Sequence, residues 1–230
     1  RGADRVFDFY GWQGEIDVTN PATREYVWNK LKENYIDNGV DALWFDEAEP
    51  EIHPEHFDNL IWYKGRADMV ALLYPYYYSK MAYDGFKSIG RDDIITLTRC
   101  AYLGSQKFGS LVWSGDIEST FESLACQVKA GLNMAMCGIP WWNTDIGGFY
   151  GADITSDYFK ELIVRWFQFG LFSPIMRLHG SRNRHFEPTP GLKEPSGDPN
   201  EIWSFGKENF EILKNLIFIR EKLKPYIQNQ

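Results

Sequence analysis

The chain has 230 residues, 44% hydrophobic and 24% charged, and its 24 Lys+Arg against 32 Asp+Glu give a formal net charge of −8. Such a composition is that of a soluble globular protein with one domain as the default. With no Lys/Arg cluster to offset the acidic balance, nucleic acid and an anionic membrane surface are disfavoured as partners, because either needs a basic face to neutralise phosphate.

The opening RGADRVFDFYGWQ has no initiator Met and no charged region followed by an apolar stretch. No targeting signal can be read from it, the compartment is left open, and it reads like the middle of something longer. From Asn20 a helix is signalled, with Asn20 as N-cap, Pro21 at the first helical position, Val27, Trp28, Leu31 and Tyr35 at helical spacing, and Gly39 as stop. VDALWFD (40 to 46) is short and apolar and reads as a strand buried on both faces. Residues 70 to 89 read as helix despite Pro75, and IITLTRCAY (94 to 102) and SLVWSGD (110 to 116) as strands.

Ser119 with Glu122 three residues on reads as a capping box opening a helix whose apolar stripe includes Leu124, Val128 and Leu132. Strand-like MAMCGIPWW (134 to 142) follows, then a helix from 156 to 169 stopped by Gly170, then SPIMRLHG (173 to 180). The last helix spans 210 to 226, after a loop at 184 to 200 rich in Pro and Gly. The longest apolar stretches are interrupted by Pro, Arg or Lys before the ~20 residues of a membrane span. Cys100, Cys126 and Cys137 are widely spaced and read as small buried hydrophobes.

Strands separated by helices of ten residues or more imply parallel βαβ units, with helices on both faces of the sheet. Each strand ends in a polar burst: DEAE after LWF, TRCAYLGSQ after DIIT, SGD after LVW, TDIGGF after IPWWN, RLHG after SPIM. In parallel α/β architectures ligands bind at these carboxyl ends. DALWFDEAEP (41 to 50) therefore divides into a core half and an acidic half at the mouth of a site.

Two carboxylates brought to one mouth by different strands suit glycosidic cleavage, one as nucleophile or base and one as acid, with Asp46 and Asp116 the natural pair. Asp at strand ends also serves as cap, turn former or salt-bridge partner. His179 fits a structural role as well as a ligand-binding one. His53 and His56 in HPEH, beside Asp46 and Glu49, lack the helical HExxH spacing of zinc enzymes. No glycine-rich phosphate loop occurs, so neither metal nor cofactor is called. Nine Trp and 13 Tyr are compatible with stacking on sugar rings.

Taken in order, DVTNPATREYVW (17 to 28), LWFDEAEPE, TRCAYLGSQ, WSGD, GIPWWNTDIGGF and MRLHG closely resemble the catalytic barrel of glycoside hydrolase family 31, the retaining α-glucosidases and α-xylosidases. The resemblance implies an α/β fold, a (β/α)8 TIM barrel. It also implies Asp46 as nucleophile and Asp116 as general acid/base. Arg99 matches the arginine that orients the carboxylates, and Trp113 the aromatic wall beside the acid/base. Asp145 and Phe149 match pocket-shaping residues, Arg177 and His179 the pair after the last strand, and Trp44 and Trp142 are placed with the substrate-binding residues. An arginine beside Asp46 would hold it ionised, and apolar Trp113 would favour protonated Asp116. Retention implies carboxyls about 5 to 5.5 Å apart, inversion more than about 6.5 Å.

The nucleophile segment departs from the W-x-D-M-N-E common among glucose-cleaving members. FDEAEPE is more similar to the D-x-x-E-P-E of several bacterial α-xylosidases, which favours removal of non-reducing-end α-xylosyl residues from an oligosaccharide over α-glucosidase activity. A carbohydrate-binding fragment without turnover is the reading from another class, and two opposed carboxylates argue against it. A metal-dependent hydrolase using HPEH is a third.

A complete barrel takes about 250 residues. The resemblance places the start of the chain just before the family's fourth strand, so residues 1 to 230 are expected to be one partial barrel domain carrying the fourth to eighth strands. The first three strands and the family's N-terminal β-sandwich would be absent. Open sheet edges of that kind call for cover by the rest of the parent chain or by a homo-oligomer.

Overall fold

The computed structural model describes residues 5–7, 11–13, 16–49, 60–182 and 197–229. It divides into two compact units, Arg1–Val112 and Trp113–Gln230.

The first unit opens with an antiparallel pair, β1 (Arg5–Phe7) and β2 (Gly11–Gln13). Helix α1 (Pro21–Asn34) begins where the sequence signals it: Asn20 Oδ1 accepts from the Ala22 N–H at 3.0 Å, and Pro21 sits in the first turn, where no amide hydrogen is needed. A short 3₁₀ turn, Ile36–Asn38, ends at Gly39 with φ 93°. Strand β3 (Leu43–Phe45) follows, then a two-stranded hairpin of β4 (Ile61–Trp62) and β5 (Gly65–Arg66), the single-turn α2 (Ala67–Val70) and α3 (Tyr74–Ser88). Pro75 lies in the first turn of α3, so it starts this helix and does not interrupt it.

Strands β6 (Thr96–Thr98) and β7 (Ser110–Trp113) complete a parallel ladder with β3, in register at Leu43↔Thr96, Trp44↔Leu97 and Phe45↔Thr98, and at Thr96↔Ser110 and Thr98↔Val112. Phe45 of β3 packs on the helices. Trp28, Phe45, Ala48, Met81, Ala82, Phe86 and Ile94 form one buried cluster, with Trp28 edge-on to Phe86 at 5.1 Å and Phe45 edge-on to Tyr78 at 4.8 Å. Helix α1 approaches α3 so closely that a Cβ on Gly85 would lie 2.0 Å from the Trp28 ring.

The second unit carries α4 (Phe121–Met136), β8 (Trp142–Asn143), α5 (Asp157–Gly170) and α6 (Lys207–Gln228). Ser156 caps α5, its hydroxyl accepting from the Phe159 N–H at 3.2 Å. The core is the buried face of α5, with Phe159, Leu162, Ile163, Trp166 and Phe167 packed on Ile146, Phe205 and Leu213. Arg220 of α6 ties down the turn after α5 by donating to the carbonyls of Leu171 (2.7 Å), Ser173 (2.5 Å) and Pro174 (2.7 Å).

Several expectations are corrected. β3 is not buried on both faces: Phe45 is buried against α3, while Trp44, pointing the other way in the pleat, is 46% exposed. The cap of α4 is Thr120, accepting from the Ser123 N–H at 3.1 Å, because the Ser119 backbone is already committed to the Tyr150 carbonyl at 2.8 Å. Of the expected stripe on α4, Leu124 packs against the core but Val128 and Leu132 are exposed, and the buried residue is Gln127. Met134–Met136 belong to the end of α4, so the strand read over 134 to 142 shrinks to Trp142–Asn143. Gly170 is the last residue of α5, not a stop beyond it. SPIMRLHG forms no extended strand, only a parallel bridge of Leu178 with Ile146. Cys126 and Cys137 are exposed and Cys100 is half-buried, so the cysteines are not core hydrophobes, and all three are free thiols. Most of the 184 to 200 loop, and His53 and His56, lie outside the described residues. Among those described, no helix is long and apolar enough to cross a membrane.

Candidate active site

In the first unit the polar cluster grows from the end of β3. The Arg99 amide donates to the Phe45 carbonyl at 3.2 Å, which continues the β3–β6 pairing one step and sets Arg99 beside the residue that follows Phe45, Asp46. Glu47 then adopts a left-handed backbone, φ 51°, uncommon for a residue with a side chain, and its amide turns back to Asp46 Oδ1 at 2.9 Å. Ala48 is fully buried in the core cluster and anchors this turn. Glu49 consequently faces Arg99 and takes its guanidinium through both oxygens, Nε to Oε1 at 2.5 Å and Nη2 to Oε2 at 3.0 Å. The remaining terminal nitrogen, Nη1, lies 3.3 Å from Asp46 Oδ1. The Asp46 side chain is 57% exposed and Arg99 only 17%, so the carboxylate is open to a ligand while the cation beside it is held from behind. Burial pushes the neighbouring Cys100 thiol up, and Glu49 adds to that shift, so the thiol stays protonated at neutral pH.

In the second unit the segment WNTDIG alternates as an extended chain should. Trp142 and Thr144 face the helices: the Trp142 ring packs where a Cβ on Gly131 of α4 would come within 2.9 Å, and Thr144 accepts from Trp166 Nε1 of α5 at 2.6 Å. Asn143 and Asp145 face the other way and share one partner, Arg177, whose Nε donates to Asn143 Oδ1 at 3.1 Å and whose Nη2 bonds Asp145 Oδ1. The Arg177 guanidinium also sits over the Trp113 ring, 5.8 Å from its centroid.

Asp145 is fully buried, and Oδ2 is left without a hydrogen-bond partner among the described residues. Burial pushes its carboxyl up to about 6, a shift that Arg177 opposes and the charge of Asp116 reinforces. Asp116 itself is exposed and follows Gly115, whose φ of 71° turns the chain out of β7.

The loops carrying these groups are sewn together by backbone bonds. Phe149 donates to Ile117 O at 2.7 Å, Ser119 to Tyr150 O and Ser181 to Phe149 O at 2.8 Å each, and Ile146 to Arg177 O at 3.3 Å. This close approach accounts for the second glycine of DIGGF: a Cβ on Gly148 would lie 2.6 Å from Ser119 Cα. Phe149 lies against His179, ring centroids 5.6 Å apart. Behind them Arg182 is 4% exposed and at φ 52°, donating to Ile146 O at 3.2 Å and Asn200 Oδ1 at 2.7 Å.

Trp44, Asp46 and Arg99 thus fall together in the first unit, and Trp113, Asp116, Asp145, Phe149, Arg177 and His179 in the second, while Trp142 is packed on the helix side. Sequence reasoning named Glu49 only in the acidic cluster beside HPEH and passed over its pairing with Arg99, as it did Asn143 and Arg182. The period-2 spacing of Asn143 and Asp145 was a usable signal for Asn143; the other two are paired with groups far away in the chain.

Acidic and basic side chains at strand ends, with aromatic rings beside them, define the class as an α/β protein whose ligand-binding end lies at the carboxyl ends of parallel strands. Residues 3–230 match the model of the glycosyl hydrolases family 31 TIM-barrel domain, and the chain belongs to that family. Its α/β fold is accordingly part of a (β/α)8 barrel. The chain is 45% identical over 182 residues to the uncharacterized family 31 glucosidase ORF2 of Pseudescherichia vulneris, covering 79% of this chain and 34% of that protein. It is 36% identical over 211 residues to an alpha-xylosidase of Saccharolobus solfataricus, covering 89% and 26%. Among solved structures it is similar to a family 31 alpha-xylosidase from a soil metagenome complexed with xylose, at 45% identity and a TM-score of 0.91, over 100% of this chain and 35% of that one. The chain spans between about a quarter and a third of the length of these proteins.

Proposed function

We propose that the whole protein is a retaining α-glycoside hydrolase that removes α-xylosyl residues from the non-reducing ends of oligosaccharides through a covalent glycosyl-enzyme intermediate. The observation that carries this reading is Asp46, a solvent-open carboxylate at a strand end with an arginine nitrogen 3.3 Å away. In this reading ionised Asp46 attacks the anomeric carbon, and Asp116 first protonates the leaving oxygen and then activates water. The cation of Arg99 steadies the carboxylate before attack, and Trp44, Trp113, Phe149, Arg177 and His179 contact the sugar. Asp145 orders Arg177. Acid, base and nucleophile are all side chains, so this chemistry calls for neither metal nor cofactor.

Xylose is favoured over glucose by the EPE that follows the nucleophile segment and by the alpha-xylosidases among the relatives. The relative named as a glucosidase, at 45% identity, supports the second reading, an α-glucosidase. The two are separated by kcat/KM on p-nitrophenyl α-xyloside and α-glucoside with the whole protein. We expect the xyloside to lead by at least about tenfold, because the extra hydroxymethyl group of glucose must be accommodated or refused by the same pocket; a lead for the glucoside would replace the proposal with the second reading. Asp46→Ala is expected to lower kcat by about 10⁴-fold or more, whereas Asp116→Ala should largely spare substrates whose leaving group needs no proton. Equal losses on every leaving group would reverse the role given to Asp116.

A further inference from the structure

We infer that Glu49 is a positioning residue for the glycosylation step, acting on Asp46 through Arg99. The inference rests on the reading of Asp46 as nucleophile and assigns a role to a residue outside the acid, base and sugar contacts.

An arginine has five N–H donors in a fixed planar fork, and left free it can offer any edge of that plane to a neighbouring carboxylate. Here the choice is narrowed. Glu49 occupies the Nε–Nη2 edge in a two-point contact, at 2.5 and 3.0 Å, and Nη1 is the nitrogen that faces Asp46, at 3.3 Å. A single contact of that length leaves the Asp46 oxygens accessible, where a second two-point grip would occupy both of them. The turn between the two acids is built to give this result. The left-handed Glu47 folds the chain back, its amide holds Asp46 Oδ1 at 2.9 Å, and buried Ala48 pins the turn to the core beneath β3. Glu49 also balances the guanidinium charge, so Asp46 is oriented by Arg99 without facing an uncompensated cation that would draw electron density from the attacking oxygen.

A double-mutant cycle in the whole protein tests this. Glu49→Gln is measured in the native background and in an Arg99→Lys background, where the fork is gone. Glu49→Asp is run in parallel, since it retains both carboxylate oxygens and leaves a usable cycle where the Gln variant does not fold. The readouts are kcat/KM on p-nitrophenyl α-xyloside, the rate of adduct formation with 5-fluoro-α-xylosyl fluoride, and the affinity for free xylose. Glu49→Gln is expected to lower kcat/KM and the trapping rate by about 100-fold, the scale of a misplaced reacting group. Xylose affinity should be unchanged, Glu49→Asp should lose no more than about a tenth of that factor, and either substitution should cost less than about twofold once Arg99 is lysine. Equal losses in both backgrounds, or a loss confined to xylose affinity, would overturn the inference while leaving the nucleophile in place. An adduct mapped to a residue other than Asp46 in the native protein would instead remove the reading on which it stands.

Discussion

The two arginine–carboxylate clusters have arginines of nearly equal exposure, 17% for Arg99 and 16% for Arg177, yet their aspartates differ completely, Asp46 at 57% and Asp145 at 0%. Burial of the acid, not of its partner, sets the character of each pair. Asp46 remains in water, where Coulomb attraction to Arg99 is weak but a substrate can displace solvent and reach it. Asp145 has lost its water, and even direct contact with Arg177 does not offset the desolvation, which leaves its carboxyl raised to about 6. One cluster leaves its aspartate open to a ligand and the other locks its aspartate against its neighbours.

The largest effect expected from this contrast is on stability. Arg177→Met leaves a buried carboxylate uncompensated and should lower the unfolding free energy by about 3 to 5 kcal/mol. Arg99→Met, which releases carboxylates that water can solvate, should cost about 1 kcal/mol. Urea unfolding of the two variants measures the difference, and similar losses would mean that the burial of Asp145 does not govern its pairing.

The pH dependence sharpens the same point. Because the Asp145 carboxyl is raised in the folded state from an ordinary 3.8 to about 6, the folded protein binds its proton more tightly than the unfolded chain. Its contribution to stability is therefore fully present below about pH 4 and is lost as pH rises towards 6, a decline of up to about 3 kcal/mol. Asp145→Asn should remove that decline. A variant whose stability falls between pH 4 and 6 as steeply as the native protein's would place the responsible group elsewhere.

The smallest expected effects concern the helix starts, where the two units should behave alike. Asn20→Ala and Ser156→Ala each remove a side-chain acceptor for an orphan amide and should cost about 1 kcal/mol in thermal or urea unfolding. Thr120→Ala should cost as much, and a larger loss from Asn20→Ala than from Arg177→Met would invert this order of effects.

These caps also show where local reading succeeds. Asn20, Pro21 and Ser156 act on amides two or three residues away, so their roles are legible without knowledge of the rest of the chain. Ser119 and Thr120 are chemically equivalent candidates, and only the bond from Ser119 N to Tyr150 O, across 31 positions, decides between them. Helix α4 is similar: its apolar period is genuine, but Gly131 lies against the Trp142 ring, and Gln127, one turn before it, faces inward while Val128 and Leu132 face outward.

At the site the same division holds. The residues that end the strands could be picked out because apolar runs stop abruptly at polar ones, which places Asp46, Arg99, Asp116 and Asp145 just past the carboxyl ends, with Arg177 beside the Leu178 bridge. The pairings could not, since Glu49 meets Arg99 across 50 positions and Asn143 meets Arg177 across 34.

What the amino-acid order determined by itself is the alternation of strand and helix, the starts of α1 and α5 and the set of polar groups at the strand ends, because propensity, capping and periodicity act over a few residues. Tertiary structure alone decided which carboxylate keeps its water and which arginine edge each acid receives. Desolvation and hydrogen-bond geometry depend on neighbours that the chain brings together only when it folds.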